Sequence, residues 1–203
     1  MLPNSYVTGT ELVLRGVTGG TLRVEERAVR FEDVPESFWG AGDIAFAAAR
    51  ELLQGTGLAE FSPEEHLTRA MLMTVLARIE GIDTQGTPWY EKGIQWAVET
   101  GVSDGSEPHA PITREQLVTM LYRYFRTRSD AVQSDNSATL SGFADGGTVN
   151  SWAAEALGWA VERGIVRGKE GNRIDPQGTA CLLYTSKPTP LSFMAFLPTA
   201  TAR

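Results

Sequence analysis

The sequence has 203 residues, of which 42% are hydrophobic and 21% charged, so it has enough apolar side chains for a globular core. Its net charge of -7 and its lack of a basic run exclude generic attraction to nucleic acid or to an anionic membrane. Neither an apolar run of membrane-spanning length nor a signal peptide is visible in it.

Residues 1–30 form a segment of short alternating apolar runs. Leu12 to Leu14 and Leu22 to Val24 flank Gly19-Gly20, a pattern typical of a β-hairpin. We interpret the segment as the β-rich tail of an upstream domain or as a linker, which would also explain why no signal peptide is visible.

The rest of the sequence contains an internal repeat. Residues 89–105 align without a gap with residues 152–168, and both tryptophans of each segment coincide. Trp39 marks an earlier and more diverged copy. Two full copies and one broken copy are therefore predicted.

The first helix of each repeat is predicted to begin near its tryptophan. It should end at Gly101 or Gly164, because glycine readily takes the left-handed conformation that closes a helix. Glu51 stands at that place in the first copy.

The second helix follows a short motif that occurs twice, since Leu67-Thr68-Arg69 aligns with Ile112-Thr113-Arg114. Thr68 and Thr113 are good N-caps, and Thr113 with Gln116 completes a capping box. Apolar residues then recur on one helical face in both copies: Leu72, Val75, Leu76 and Ile79, and Leu117, Met120, Leu121 and Tyr124. One such unit cannot bury this face alone, so we expect the repeats to share a core.

These patterns divide the sequence into repeats with the following boundaries. Repeat 1 spans residues 31–81, repeat 2 spans 82–128, a linker spans 129–142, and a truncated repeat 3 spans 143–180.

The register of the repeat breaks after Ala180. Cys181 and Leu182 stand where the spacing predicts threonine and arginine, and two prolines follow where a long helix should begin. We interpret residues 181–203 as not native to the repeat, through a frameshift, a truncated gene or joined foreign sequence. The third groove would then lack its arginine, and self-association through the incomplete repeat is left open. The single cysteine excludes an internal disulfide.

The order of the motifs resembles the S-layer homology domain family. The resemblance rests on Phe31-Glu32-Asp33-Val34 and Trp39, on the two threonine-arginine motifs, and on Phe143-Ala144-Asp145 with Trp152. It implies an all-α fold, in which tandem helix-loop-helix repeats form a pseudo-threefold spindle. It also implies a secreted protein that binds the pyruvylated secondary cell-wall polysaccharide of a Gram-positive bacterium and so anchors its cargo noncovalently at the cell surface.

The resemblance also implies a set of groove residues that would bind the polysaccharide. Carried onto matching positions they are Asp33, Trp39, Arg69, Trp89, Arg114, Asp145 and Trp152. Repeat 2 lacks a clear aspartate, although Asp83 is near. A pyruvyl carboxylate suits an arginine that stands beside the free amides of a helix N-terminus, and a tryptophan face suits a sugar ring. We therefore expect Arg114→Ala to weaken binding more than Arg123→Ala.

The tryptophans and aspartates of this set could also serve the fold alone, as core residues or helix caps. Trp96 and Trp159 are predicted to be core residues, and Trp39, Trp89 and Trp152 fit either the hairpin interior or a groove. The aspartates Asp33 and Asp145 fit the N-cap of a following helix equally well.

The sequence offers no pattern for catalysis. No serine or cysteine stands in a nucleophile motif, the two histidines occupy unrelated loop positions, and no metal-binding or cofactor-binding motif occurs. We therefore expect a non-enzymatic module without a cofactor. Two other interpretations remain, a helical-repeat module that binds a protein partner and a fragment of a cell-wall hydrolase that carries anchoring repeats.

Overall fold

The computed structural model describes residues 6–8, 11–13, 19, 21, 28–128 and 137–180. Five α-helices occur within these residues: α1 (Ala41–Ala49), α2 (Arg69–Ile79), α3 (Glu91–Glu99), α4 (Arg114–Arg126) and α5 (Ala154–Glu162). Short 3-10 helices at Ser137–Gly142 and Gly146–Thr148 precede α5. The helix-rich fold agrees with the predicted class. The predicted tail 181–203 and most of the linker lie outside the described residues.

A short antiparallel sheet stands at the N-terminal end. Strand β1 (Tyr6–Thr8) pairs with β2 (Glu11–Val13), and Tyr6 is opposite Val13. This hairpin forms upstream of the predicted turn at Gly19-Gly20, and the other predicted strand, residues 22–24, lies outside the described residues.

The first helix of each repeat begins two residues after its tryptophan and ends where the sequence predicts. Gly101 follows α3 with φ of 73°, and Gly164 follows α5 with φ of 66°. Glu51 takes the same left-handed conformation after α1, with φ of 59°. Glycine adopts this conformation without steric cost, whereas for glutamate it is sterically unfavourable.

The second helices are capped as the sequence predicts. The Thr68 side chain accepts a hydrogen bond from the Met71 amide at the start of α2. At the start of α4, Thr113 and Gln116 form the predicted reciprocal capping box. These caps satisfy amides that a helix N-terminus otherwise leaves unpaired.

Each second helix packs against the first helix of the next repeat, α2 against α3 and α4 against α5. The α2–α3 contact is very close at Gly93, where an added Cβ would lie 2.7 Å from Thr74 Oγ1. Ala156 aligns with Gly93 in the α4–α5 pair and is buried there. Consecutive repeats are therefore interlocked.

A ring of three backbone hydrogen bonds joins the repeats. The amide of Leu67 donates to Ala180 O (3.0 Å), that of Ile112 to Leu67 O (2.8 Å), and that of Ala180 to Ile112 O (2.9 Å). These three residues occupy the same position in the three repeats, and all are buried. The ring therefore confirms a pseudo-threefold arrangement that extends to the last residue before the sequence break.

One shared core draws on all three repeats. Leu76, Leu121, Leu157 and Trp159 belong to a single cluster of buried apolar side chains. Trp96 is partly buried against the same cluster, so both tryptophans predicted for the core are found there. The predicted boundaries of the repeats stay predictions.

Candidate functional site

Arg69 occupies the first turn of α2 and is only 7% exposed. Its Nε donates to Ser106 O (2.8 Å), and its Nη2 donates to Asp104 Oδ1 (2.6 Å) and Ser103 Oγ (3.2 Å). All three partners lie in the loop of repeat 2, between α3 and α4. Arg69 therefore fastens repeat 1 to the loop of the following repeat.

Arg114 repeats this arrangement one repeat later and is 4% exposed. Its Nε donates to Ile174 O (3.0 Å) and its Nη2 to Arg167 O (3.2 Å), both in the loop of repeat 3. Burial lowers the pKa of the Arg114 guanidinium, and Asp175 and Asp145 oppose that effect.

The backbone amides beside these arginines are not free, so this part of the expectation is wrong. The amides of Arg69 and Ala70 donate to carbonyls at residues 110 and 108, with N···O distances of 3.2 and 2.9 Å. The amides of Arg114 and Glu115 donate in the same way to carbonyls at residues 178 and 176. The loop of the next repeat thus occupies the N-terminus of each long helix.

The aspartate side chains do not cap a following helix but bind loop amides. Asp33 accepts the amides of Phe61 (2.9 Å) and Ser62 (2.6 Å), one on each carboxylate oxygen. Asp145 accepts the amides of Ile174 (2.7 Å) and Asp175 (2.8 Å) in the same way. Residues 62 and 175 both have positive φ, so each aspartate clamps a strained loop.

Repeat 2 has no such clamp among the described residues. Asp83, which aligns with Asp33, accepts the Gln85 amide (2.9 Å) and pairs with Lys92 (3.2 Å). The loop of repeat 2 depends instead on Asp104, which accepts the Ser106 amide (3.0 Å) and pairs with Arg69. The Ser106 hydrogen bonds hold the pKa of Asp104 below its usual range.

The Asp33 clamp gives an expected pH dependence. The Phe61 amide holds the folded-state pKa of Asp33 below its ordinary value of 3.8, so ionisation stabilises the fold above that value. This contribution is lost as the pH falls through the folded-state pKa. Asp33→Asn should therefore be less stable than wild type at neutral pH, and the difference should shrink below about pH 4. The urea midpoints of both proteins between pH 7 and pH 2.5 measure this difference in stability.

Glu64→Gln, on the same loop, is the control for this experiment. A stability difference between wild type and Asp33→Asn that does not change with pH would contradict this role of Asp33.

The three tryptophans at the helix starts are exposed rather than buried in the hairpins. Trp39, Trp89 and Trp152 are 46%, 43% and 50% exposed. Two of the three line grooves, Trp89 one formed with the repeat 1 loop and Trp152 one formed with the repeat 2 loop.

One groove brings an arginine and a tryptophan of the predicted set together. This middle groove has a volume of about 220 Å³, and Arg69 and Trp152 both line it. The repeat 2 loop supplies Ser103, Asp104, Ser106 and Glu107, and α4 supplies Gln116, Thr119, Met120 and Arg123. Repeat 1 gives the arginine, repeat 2 the loop and helix, and repeat 3 the tryptophan.

A second groove, the first groove, repeats this plan one repeat earlier. It has a volume of about 490 Å³ and is lined by the repeat 1 loop, by α2 and by Trp89. Its walls are more apolar, since Leu53, Phe61 and Met71 stand where the middle groove has Ser103, Ser106 and Gln116. The two grooves therefore differ in chemistry.

The pattern of Arg69 and Arg114 indicates which groove the arginine missing from repeat 3 would have entered. Each arginine enters the groove of the next repeat, so the first groove would take its arginine from repeat 3, where the sequence has Leu182. Arg114 reaches the loop of repeat 3, but the long helix of that repeat would begin beyond Ala180. Among the described residues, the middle groove combines loop, helix and tryptophan with the arginine of a threonine-arginine motif, whereas the arginine that lines the first groove, Arg78, comes from the last turn of α2.

Several groove residues were not predicted from the sequence. Gln116, Thr119 and Arg123 line the middle groove from α4. They are polar residues at i, i+3 and i+7 on one face of α4, so their spacing was an available signal. Ser106 was missed because its role depends on Arg69, which is distant in the sequence.

Two negative findings concern only the described residues. No helix among them is long and apolar enough to cross a membrane. No group of three or more histidine, cysteine or acidic residues there is arranged to hold a metal ion.

Comparison with known proteins identifies three matching regions. A model of the S-layer homology domain matches residues 30–70, 83–118 and 142–180. The chain is 27% identical over 194 residues to the S-layer protein of Bacillus thuringiensis subsp. finitimus, an alignment that covers 87% of this chain and 23% of that protein. The S-layer protein of Bacillus anthracis is 28% identical over 194 residues, with the same coverage of 87% and 23%.

An enzyme is also among the similar proteins. The amylopullulanase of Thermoanaerobacterium thermosulfurigenes is 25% identical over 164 residues, which covers 74% of this chain and 9% of the enzyme. The chain therefore spans less than a quarter of each of these three relatives.

Proposed function

The chain belongs to the S-layer homology domain family, whose members anchor proteins at the cell surface, and we propose that it does so by binding secondary cell-wall polysaccharide noncovalently. The protein is secreted and acts at the cell wall of a Gram-positive bacterium. The ligand that we propose is the pyruvylated form of the polymer.

The observation that carries this proposal is the composition of the middle groove. It places an exposed tryptophan, Trp152, in the same cleft as guanidinium groups and hydroxyl and amide side chains. A flat indole suits the C–H face of a sugar ring, hydroxyl and amide groups suit sugar hydroxyls, and a guanidinium suits a carboxylate. A pyruvylated saccharide presents all three of these chemical features.

The other residues of the predicted set have supporting parts in this proposal. Asp33, Asp145 and Arg114 hold loops and repeats together through hydrogen bonds to backbone amides and carbonyls. Trp89 lines the first groove, which no arginine of a threonine-arginine motif enters among the described residues, and Trp39 lies outside both the first and the middle groove. We therefore expect one strong binding groove per chain.

The module itself is proposed to be non-catalytic. The relatives include S-layer proteins and an amylopullulanase, and the chain spans only 9–23% of their lengths. A module that anchors attached polypeptides of either kind accounts for both matches.

A cell-wall sedimentation assay tests the proposal. Wild-type protein should co-sediment with purified Gram-positive walls, and the binding should disappear once the secondary polymer has been extracted from them. Binding that survives the extraction would overturn the polysaccharide proposal and favour a protein partner.

Trp152→Ala should weaken binding to the intact walls by about tenfold or more, corresponding to about 1.4 kcal/mol. Trp39→Ala is the matched control, because Trp39 is similarly exposed but lies outside the middle groove. Equal losses in the two variants would argue against the middle groove as the site.

A further inference from the structure

We propose that Arg123, rather than Arg69, is the residue of the middle groove that selects an anionic ligand. The inference rests on the proposed function and deepens it, because it assigns recognition of the ligand carboxylate to one side chain. It follows from the different states of the two arginines in the same groove.

The positive charge of Arg69 is already compensated. Its Nη2 pairs with Asp104 Oδ1 at 2.6 Å, and its Nε is bound to a backbone carbonyl. The Arg69 side chain is only 9% exposed. A ligand carboxylate would have to displace Asp104 or compete with it for a guanidinium that is itself buried and already held by the repeat 2 loop. Arg69 is therefore a positioning residue that fixes the loop.

The Arg123 side chain, in contrast to that of Arg69, is exposed and its charge is not compensated. Arg123 lines the same groove from α4, and its side chain makes no hydrogen bond or ion pair with any residue that the structure describes. Its guanidinium offers a planar fork of donors that matches a carboxylate, and it is weakly hydrated enough to exchange water for that ligand. Glu107 and Asp104 also line the groove, and they would repel an anion that Arg123 did not neutralise.

The first groove provides an internal comparison. Arg78 aligns with Arg123 and lines that groove, but its Nε donates to Thr84 Oγ1 (2.8 Å) and its Nη1 to Leu52 O (3.0 Å). Burial also lowers the pKa of Arg78. The same residue type is therefore a tether in one groove and an unpaired cation in the other. We therefore assign recognition of the anionic ligand to the middle groove.

This assignment reverses the expected ranking of two variants. The sequence alone favours a larger binding loss for Arg114→Ala than for Arg123→Ala. The structure places Arg114 against the loop of repeat 3, away from the middle groove, and places Arg123 within that groove.

The test compares Arg123→Gln with Arg126→Gln, which removes the same charge from the same helix. Arg126 is exposed but stacks towards Tyr122 and does not line the groove. Isothermal titration uses two probes, the purified pyruvylated polymer and the same polymer after mild acid removal of pyruvate. Wild type and Arg126→Gln should prefer the pyruvylated polymer.

Arg123→Gln should bind the pyruvylated polymer about tenfold more weakly and lose the preference, with an unchanged melting temperature. Arg123→Lys should recover part of it, since lysine restores the charge but not the fork. A preference that persists in Arg123→Gln would overturn the inference and leave the proposed function intact. Wild-type protein that binds neither polymer would overturn both.

Discussion

Replacement of Trp159 by alanine is expected to lower the free energy of unfolding by about 3–5 kcal/mol, the usual range for a large aromatic side chain removed from a core. Trp159 is 2% exposed, and its ring centroid lies 5.4 Å from that of Tyr122 and 5.5 Å from that of Phe125. Both partners lie on α4, so the cavity opens between repeats 2 and 3. Urea unfolding followed by circular dichroism measures the loss.

Trp159→Phe is the companion variant that separates packing from hydrogen bonding. Trp159 Nε1 is buried without a hydrogen-bond partner among the described residues, so phenylalanine removes an unsatisfied donor and keeps an aromatic ring. We expect roughly half the loss of the alanine variant, or less. Equal losses in the two variants would show that the indole N–H makes a stabilising contact.

Replacement of Arg114 by alanine is expected to cost about 2–4 kcal/mol, from a buried cavity together with lost hydrogen bonds. The guanidinium is the link between α4 and the loop of repeat 3, through Ile174 O and Arg167 O. Ile174 is fully buried, so its carbonyl would lose a partner without gaining water. The same urea titration measures the effect.

Arg123→Ala on the same helix is the control for that measurement. Arg123 is exposed and unpaired among the described residues, so its removal should change stability by about 0.5 kcal/mol or less. Comparable losses in the two variants would mean that Arg114 acts only through net charge or helix propensity.

The local features of the fold could be predicted because they depend on neighbouring residues. The N-caps at Thr68 and Thr113, the helix ends at Gly101 and Gly164, and the buried Trp159 are all as the sequence predicts. Each follows from a short spacing rule, such as the preference of threonine for an N-cap.

The site could be predicted only in part, because its chemistry depends on contacts between repeats. Arg78 and Arg123 align in the sequence, yet only Arg78 meets Thr84 and the carbonyl of Leu52. A helix cap was the structural role predicted for Asp33, whereas its carboxylate clamps a loop that is distant along the chain. No local pattern encodes which partner a long polar side chain will reach.

The hydrogen-bonded ring at Leu67, Ile112 and Ala180 determines how much of the protein can fold while it is still being synthesised. The Leu67 amide pairs with Ala180, the last described residue of repeat 3, so repeat 1 cannot complete its own contacts when it leaves the ribosome. Contacts so far apart along the chain form late and slow the folding reaction. Until residue 180 has been synthesised, the nascent chain carries unpaired backbone donors and exposed core surface, which is the state that chaperones protect from aggregation.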